Sequence, residues 1–97
     1  MHDSLAAPDR AMAVAVARDI LAARFVNLAM FYGARGSRAT ATLYALAAAV
    51  RQDCDTADIV LDIRVARRLD VLPISAIHAD FIAEDIARLE NAERMAV

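Results

Sequence analysis

The chain has 97 residues, 60% of them apolar but only 5% aromatic, which bounds it to one domain with a core of small side chains. Its net charge is −2, and its single cysteine, Cys54, excludes an intrachain disulfide and fits a reducing cytoplasm. Arg18, Asp19 and Arg24 interrupt the long apolar run near the N-terminus. Neither a secretory leader nor a membrane span, which needs about 20 uninterrupted apolar residues, is therefore expected.

Residues 1–7 are expected to form a flexible tail. Pro8 and Asp9 suit the first turn of a helix, where proline's missing N–H costs nothing and a carboxylate complements the helix dipole. The first helix is predicted from Pro8 to Phe31 or Tyr32. At about 100° per residue, Val14, Ala17, Leu21, Phe25, Leu28 and Tyr32 form one stripe. Ala13, Val16, Ile20, Ala23, Met30 and Phe31 form a second on the opposite side. A helix apolar on two sides is buried on two sides. It is either central to its own bundle, or it packs there with one face and on another subunit with the other.

A turn follows at Gly33–Ser37, with Gly33 as the helix stop, Gly36 opening the next turn and Ser37 as an N-cap. No strand precedes these glycines and no Gly-Lys-Ser/Thr follows, so they are a turn rather than a phosphate loop. The second helix is predicted from Arg38 to Gln52, with Ala39, Leu43, Leu46, Ala47, Val50 and Cys54 on its core line. Cys54 is read as a buried, inert thiol. An alanine patch at Ala45, Ala48 and Ala49 would admit a close helix neighbour.

Asp55 or Thr56 caps the third element, with Asp58 near the reciprocal position. Its residues Ile59, Leu61, Ile63 and Val65 alternate as a strand would, but the apolar pattern continues at helical spacing to Val71. A helix at Ala57–Val71 is predicted, with a strand paired across a two-fold as the alternative for 59–65. Leu72–Pro73 breaks the chain. A fourth helix then runs to Glu93 or Arg94, with Ser75 as a possible cap and Ile74, Ile77, Phe81, Ile82, Leu89, Ala92 and Met95 on its apolar arc.

Near the middle of that arc lie His78 and Asp85. They are two turns apart, about 10 Å of rise, and cannot touch each other. Each needs a partner elsewhere: a backbone carbonyl or an acid for His78, and Arg64, Arg67 or Arg68 for Asp85. Alternatively the two set register between subunits. One internal histidine and one cysteine are too few for a metal site, and no Glu-x-x-His pair occurs. No metal, cofactor or catalytic residue is expected, and the chain is not read as an enzyme.

The segment "RVARRLDV", a break and "ISAIHADFIAEDI" resembles a helix-turn-helix over residues 63–82. The resemblance implies a DNA-binding regulator with Arg64, Arg67 and Arg68 as candidate nucleic-acid contacts. It departs from the pattern at Asp70, where glycine is usual, and at the proline in the turn. The would-be reading helix also carries Asp80, Glu84 and Asp85, which repel phosphates.

The expectation is an all-α domain, a small bundle of about four helices joined by short turns. Residues 1–51 carry a net +3 and residues 52–97 a net −5, so the two halves attract. The apolar surplus calls for a protein partner or a homo-oligomer, a dimer above all. Val16, Ile20, Phe25, Met30, Phe31 and Phe81 are the candidate interface. The function expected is that of a small interaction module, an adaptor, regulator or inhibitor, with DNA binding as the alternative.

Overall fold

The computed structural model describes residues 7–95. The expected tail lies outside the described residues except for Ala7, which opens the first helix. The architecture is all-α: α1 at Ala7–Gly33, α2 at Ala39–Arg51, α3 at Thr56–Arg68 and α4 at Ala76–Arg94. The third element is therefore a helix, and the strand alternative for 59–65 is set aside. Its alternating apolar residues lie on a helix with one buried side. Ile59 faces the core, whereas Leu61 and Val65 are exposed.

Side-chain contacts define the topology. α2 runs back along α1, starting beside Tyr32 and ending where Arg18 of α1 donates to the carbonyls of Val50 and Cys54 at 3.0 and 2.6 Å. Those carbonyls belong to the helix end and its turn, where partners are scarce and a cation is favoured. α3 reverses again. Its first residue, Thr56, donates its hydroxyl to Glu93 Oε2 near the end of α4 at 2.8 Å. α4 runs antiparallel to α1, from His78 beside Tyr32 to Asp85 beside Arg24. Neighbours in sequence are neighbours in space, and α4 closes the ring on α1. This is an up-down-up-down four-helix bundle. α1 makes the broadest contacts, with α2 and α4, while α3 is the least embraced. The molecule measures 52 × 24 × 23 Å, and α1, roughly 40 Å long, is its longest helix.

The core is the first stripe of α1 (Ala17, Leu21, Phe25, Leu28, Tyr32) meshed with Leu43, Leu46 and Val50 of α2, Ile59 of α3 and Leu89 of α4. The alanines that permit close approach are Ala22, Ala29, Ala39 and Ala47, all buried. Ala45 and Ala48 of the expected patch face outward. Cys54 is half-buried rather than enclosed. Ile77 of the fourth helix's expected arc is exposed. That helix begins at Ser75, whose hydroxyl accepts the His78 N–H, and not at Pro73.

Three of the helices stop in the same way. Ser37 N–H reaches back to Tyr32 O, Cys54 N–H to Ala49 O and Val71 N–H to Ala66 O, each at 3.0–3.1 Å. In each case the preceding residue is left-handed: Gly36 (φ +67), Asp53 (φ 59) and Asp70 (φ 57). These are Schellman motifs. The glycine that needs its freedom is Gly36, not Gly33, and Asp70 adopts the backbone that glycine would. Gly36→Ala is expected to cost about 1–2 kcal/mol in urea unfolding, because its Cβ meets no neighbour and only the backbone objects. Asp53→Gly should move stability the other way by about 0.5 kcal/mol, the relieved strain exceeding the added chain entropy.

Candidate functional site

α1 carries two apolar faces, and only one is covered. Opposite the core stripe, Val16, Ile20, Met30 and Phe31 are exposed, as is Met12 at 70%. With the small, exposed Ala23 between them, these side chains form a line about 28 Å long. Met12 is absent from the stripes read in the sequence because these begin at Ala13, one residue later. Phe25 does not belong to this line: it is 0% exposed and sits in the core, on the helix side that faces α2 and α4. Phe81 is half-buried against α1.

The C-terminal end of the line is built into a polar and aromatic seam between α1 and α4. Ser75 N–H donates to the Tyr32 hydroxyl at 2.8 Å, and that hydroxyl lies 2.7 Å from His78 Nδ1. In the neutral Nε2–H tautomer, the hydroxyl donates to Nδ1. Phe31 meets the Tyr32 and His78 rings edge-on, with centroids 5.1 and 4.9 Å apart. The Arg35 guanidinium covers Phe31 at 3.6 Å from its ring centre. Phe81 lies beyond His78 and carries Arg24 at 4.7 Å. Phe31 is thus held on several sides while 39% of it stays exposed. A rigid aromatic with little entropy left to lose is what an interface anchor requires.

Two turns along, Asp85 is 2% exposed and accepts from Arg24 Nε at 2.8 Å and from Arg88 at 2.9 Å. Both expected partnerships are therefore corrected. Asp85 pairs with arginines of α1 and of its own helix, not with Arg64, Arg67 or Arg68, and His78 pairs with a tyrosine hydroxyl. The reason is register. Tyr32 and Arg24 are two turns apart on α1, as His78 and Asp85 are on α4, so antiparallel packing brings both pairs together at once.

Between the N-terminal half of α1 and the end of α4 lies a groove of about 710 Å³, bordered by Ala13, Val16, Ala17, Glu84 and Met95 among others. A smaller groove of about 360 Å³ separates α2 from α3 and includes the exposed Leu61, Val65 and Leu69. Among the described residues, no group of three or more His, Cys, Asp or Glu side chains could hold a metal ion, and no helix is long and apolar enough to cross a membrane.

Arg64, Arg67 and Arg68 are all exposed on α3. The connection that follows them is longer than the turn of a helix-turn-helix. That motif crosses two helices at about 90–120° over a turn of about 3–4 residues. Here the connection is residues 69–75, and α3 and α4 run in opposite senses. The connection is also tied down, with Arg38 bonded to the Asp70 carbonyl and carboxylate and Thr42 donating to Val71 O at 2.6 Å.

The fold defines the chain as an all-α, up-down-up-down four-helix bundle. Comparison with family models, curated proteins and solved structures finds no match.

Proposed function

We propose that this chain is a small helical protein–protein interaction module, an adaptor, regulator or inhibitor working in the cytoplasm by contact, and that it self-associates through the outer face of α1. The observation that carries the reading is the uncovered apolar line Met12–Val16–Ile20–Met30–Phe31 on the bundle's longest helix. Scattered surface apolar residues are ordinary, but five large ones along one face of a single helix, interrupted there by the exposed Asn27, mark a contact surface. Methionine and an immobilised phenylalanine are also side chains that interfaces favour. Its single, half-buried cysteine fits a reducing compartment.

Size-exclusion chromatography with light scattering tests this at micromolar concentration. The expected mass is twice the 10.5 kDa of one chain. The double variant Val16→Glu/Ile20→Glu should weaken association by roughly a hundredfold, because it places charge in a desolvated contact. Its helical circular dichroism should not change, since both side chains point away from the core. A protein that stays monomeric throughout, with an unaltered profile in the variant, would remove self-association from the reading.

A further inference from the structure

We infer that the outward side of α3, with the groove between α2 and α3, is a second contact surface whose occupant is an amphipathic helix of a partner protein, acidic along one edge. This goes beyond the self-association proposed above, which uses α1. Leu61, Val65 and Leu69 stand one turn apart on α3 and its C-cap, and all are exposed, Leu69 by 67%. They line one side of the groove of about 360 Å³ that α2 borders on the other. Ala45 and Ala66 also line it, and side chains this small leave it open. Thr42 and Val71, joined by a hydrogen bond of 2.6 Å, tie the two sides together at one end. The groove is therefore formed before anything enters it, and a ligand need not order it.

Charge says what fits there. At about 100° per residue, Arg64 and Arg68 fall on the side of the apolar line away from α2, one turn apart. Both are exposed, and neither joins an ion pair among the described residues. Two free guanidinium forks thus flank an apolar groove on a chain whose net charge is −2. The matching partner lays an apolar stripe into the groove and sets carboxylates one turn apart over Arg64 and Arg68, the geometry guanidinium groups accept best. Asp62 lines the groove on the α2 side of the same line. It repels carboxylates on the partner's other edge and so fixes which way the helix lies. A DNA duplex offers the arginines their anions but sets phosphates against the apolar wall. A lipid bilayer is too broad to enter a groove between two helices.

Two fluorescein-labelled helical peptides of roughly four turns test this, each with a leucine stripe. One carries glutamates along a single edge, and the other carries lysine at the same positions. Fluorescence anisotropy at low salt is expected to show the glutamate peptide binding at least about tenfold more tightly. Arg64→Glu/Arg68→Glu should invert that preference. Val65→Ser should weaken the glutamate peptide about tenfold. All three side chains are exposed, so the helical circular dichroism of these variants should match the parent's. Amide shifts on titration should gather at Ala45, Val65 and Leu69. Equal affinity for the two peptides, no binding up to about 1 mM, or shifts gathered elsewhere overturns the proposal. So does tighter binding to a random DNA duplex or to phosphatidylglycerol vesicles than to the glutamate peptide. The variant Val16→Glu/Ile20→Glu should bind the glutamate peptide as the parent does, so failure here leaves self-association through α1 standing.

Discussion

Truncating Phe25 to alanine is expected to lower the free energy of unfolding by about 3–5 kcal/mol. Phe25 is the largest of the fully buried side chains, and it sits mid-way along the core face of α1. Its removal forfeits the transfer energy of an aromatic ring and leaves a void that flanking helices, fixed by short turns, cannot collapse to fill. A domain of this size has only about 5–15 kcal/mol of total stability. Phe25→Asp should therefore leave the chain unfolded, while Phe25→Leu retains most of the fold. Urea denaturation followed by circular dichroism measures all three. A loss under about 1 kcal/mol for the alanine variant would mean that the bundle does not close around this residue.

The second large effect concerns the carboxylate inside the α1–α4 seam. Replacing Arg24 with methionine keeps the side-chain bulk over Phe81 but withdraws the Nε–H from Asp85, leaving Arg88 as its charged partner. Breaking a buried pair from one side costs about 3–5 kcal/mol in enclosed sites. The survival of Arg88 and the partial exposure of Arg24 bring the expected loss here to about 2 kcal/mol. The double variant Arg24→Met/Asp85→Leu should recover most of it, because an apolar pair leaves no stranded charge. A double-mutant cycle measures the difference. If the double variant is as weak as the sum of the singles, Arg24 stabilises the bundle through packing on Phe81 and not through Asp85.

The elements legible in the sequence were those whose signal is local. The core lines of α1 and α2 follow from spacing alone, since one helical face decides them. The stop at Gly36 was harder. Two glycines stood three residues apart, and only the backbone path into Ser37 decides which must turn left-handed. Asp53 and Asp70 gave less warning still, because aspartate tolerates that conformation without advertising it. The alternation at Ile59–Val65 misleads for a physical reason: on a helix, residues two apart point to opposite sides, so Ile59 lies in the core while Leu61 and Val65 are apolar residues left exposed. The partners of His78 and Asp85 were beyond sequence reasoning, because α3 offered three nearby arginines and the choice of α1 depends on how far α4 slides along it. The outer face of α1 was visible as a second stripe. Whether the chain's own helices would cover it was not, since periodicity counts faces without naming their neighbours.

That dependence on sliding bears on how the bundle assembles. Three of its helix contacts join segments adjacent in sequence, and short loops close at small entropic cost. The contact between α1 and α4 joins the two ends of the described chain, so it is the costly one to form and, on topology, the last. It also holds both matched polar pairs, Tyr32 with His78 and Arg24 with Asp85. A fourth helix docked one turn out of place, about 5.4 Å, would bury much the same apolar surface. It would, however, strand a carboxylate and an imidazole at once. The seam thus acts as a check on alignment at the final step, rejecting near-native dockings that oily contacts alone would tolerate.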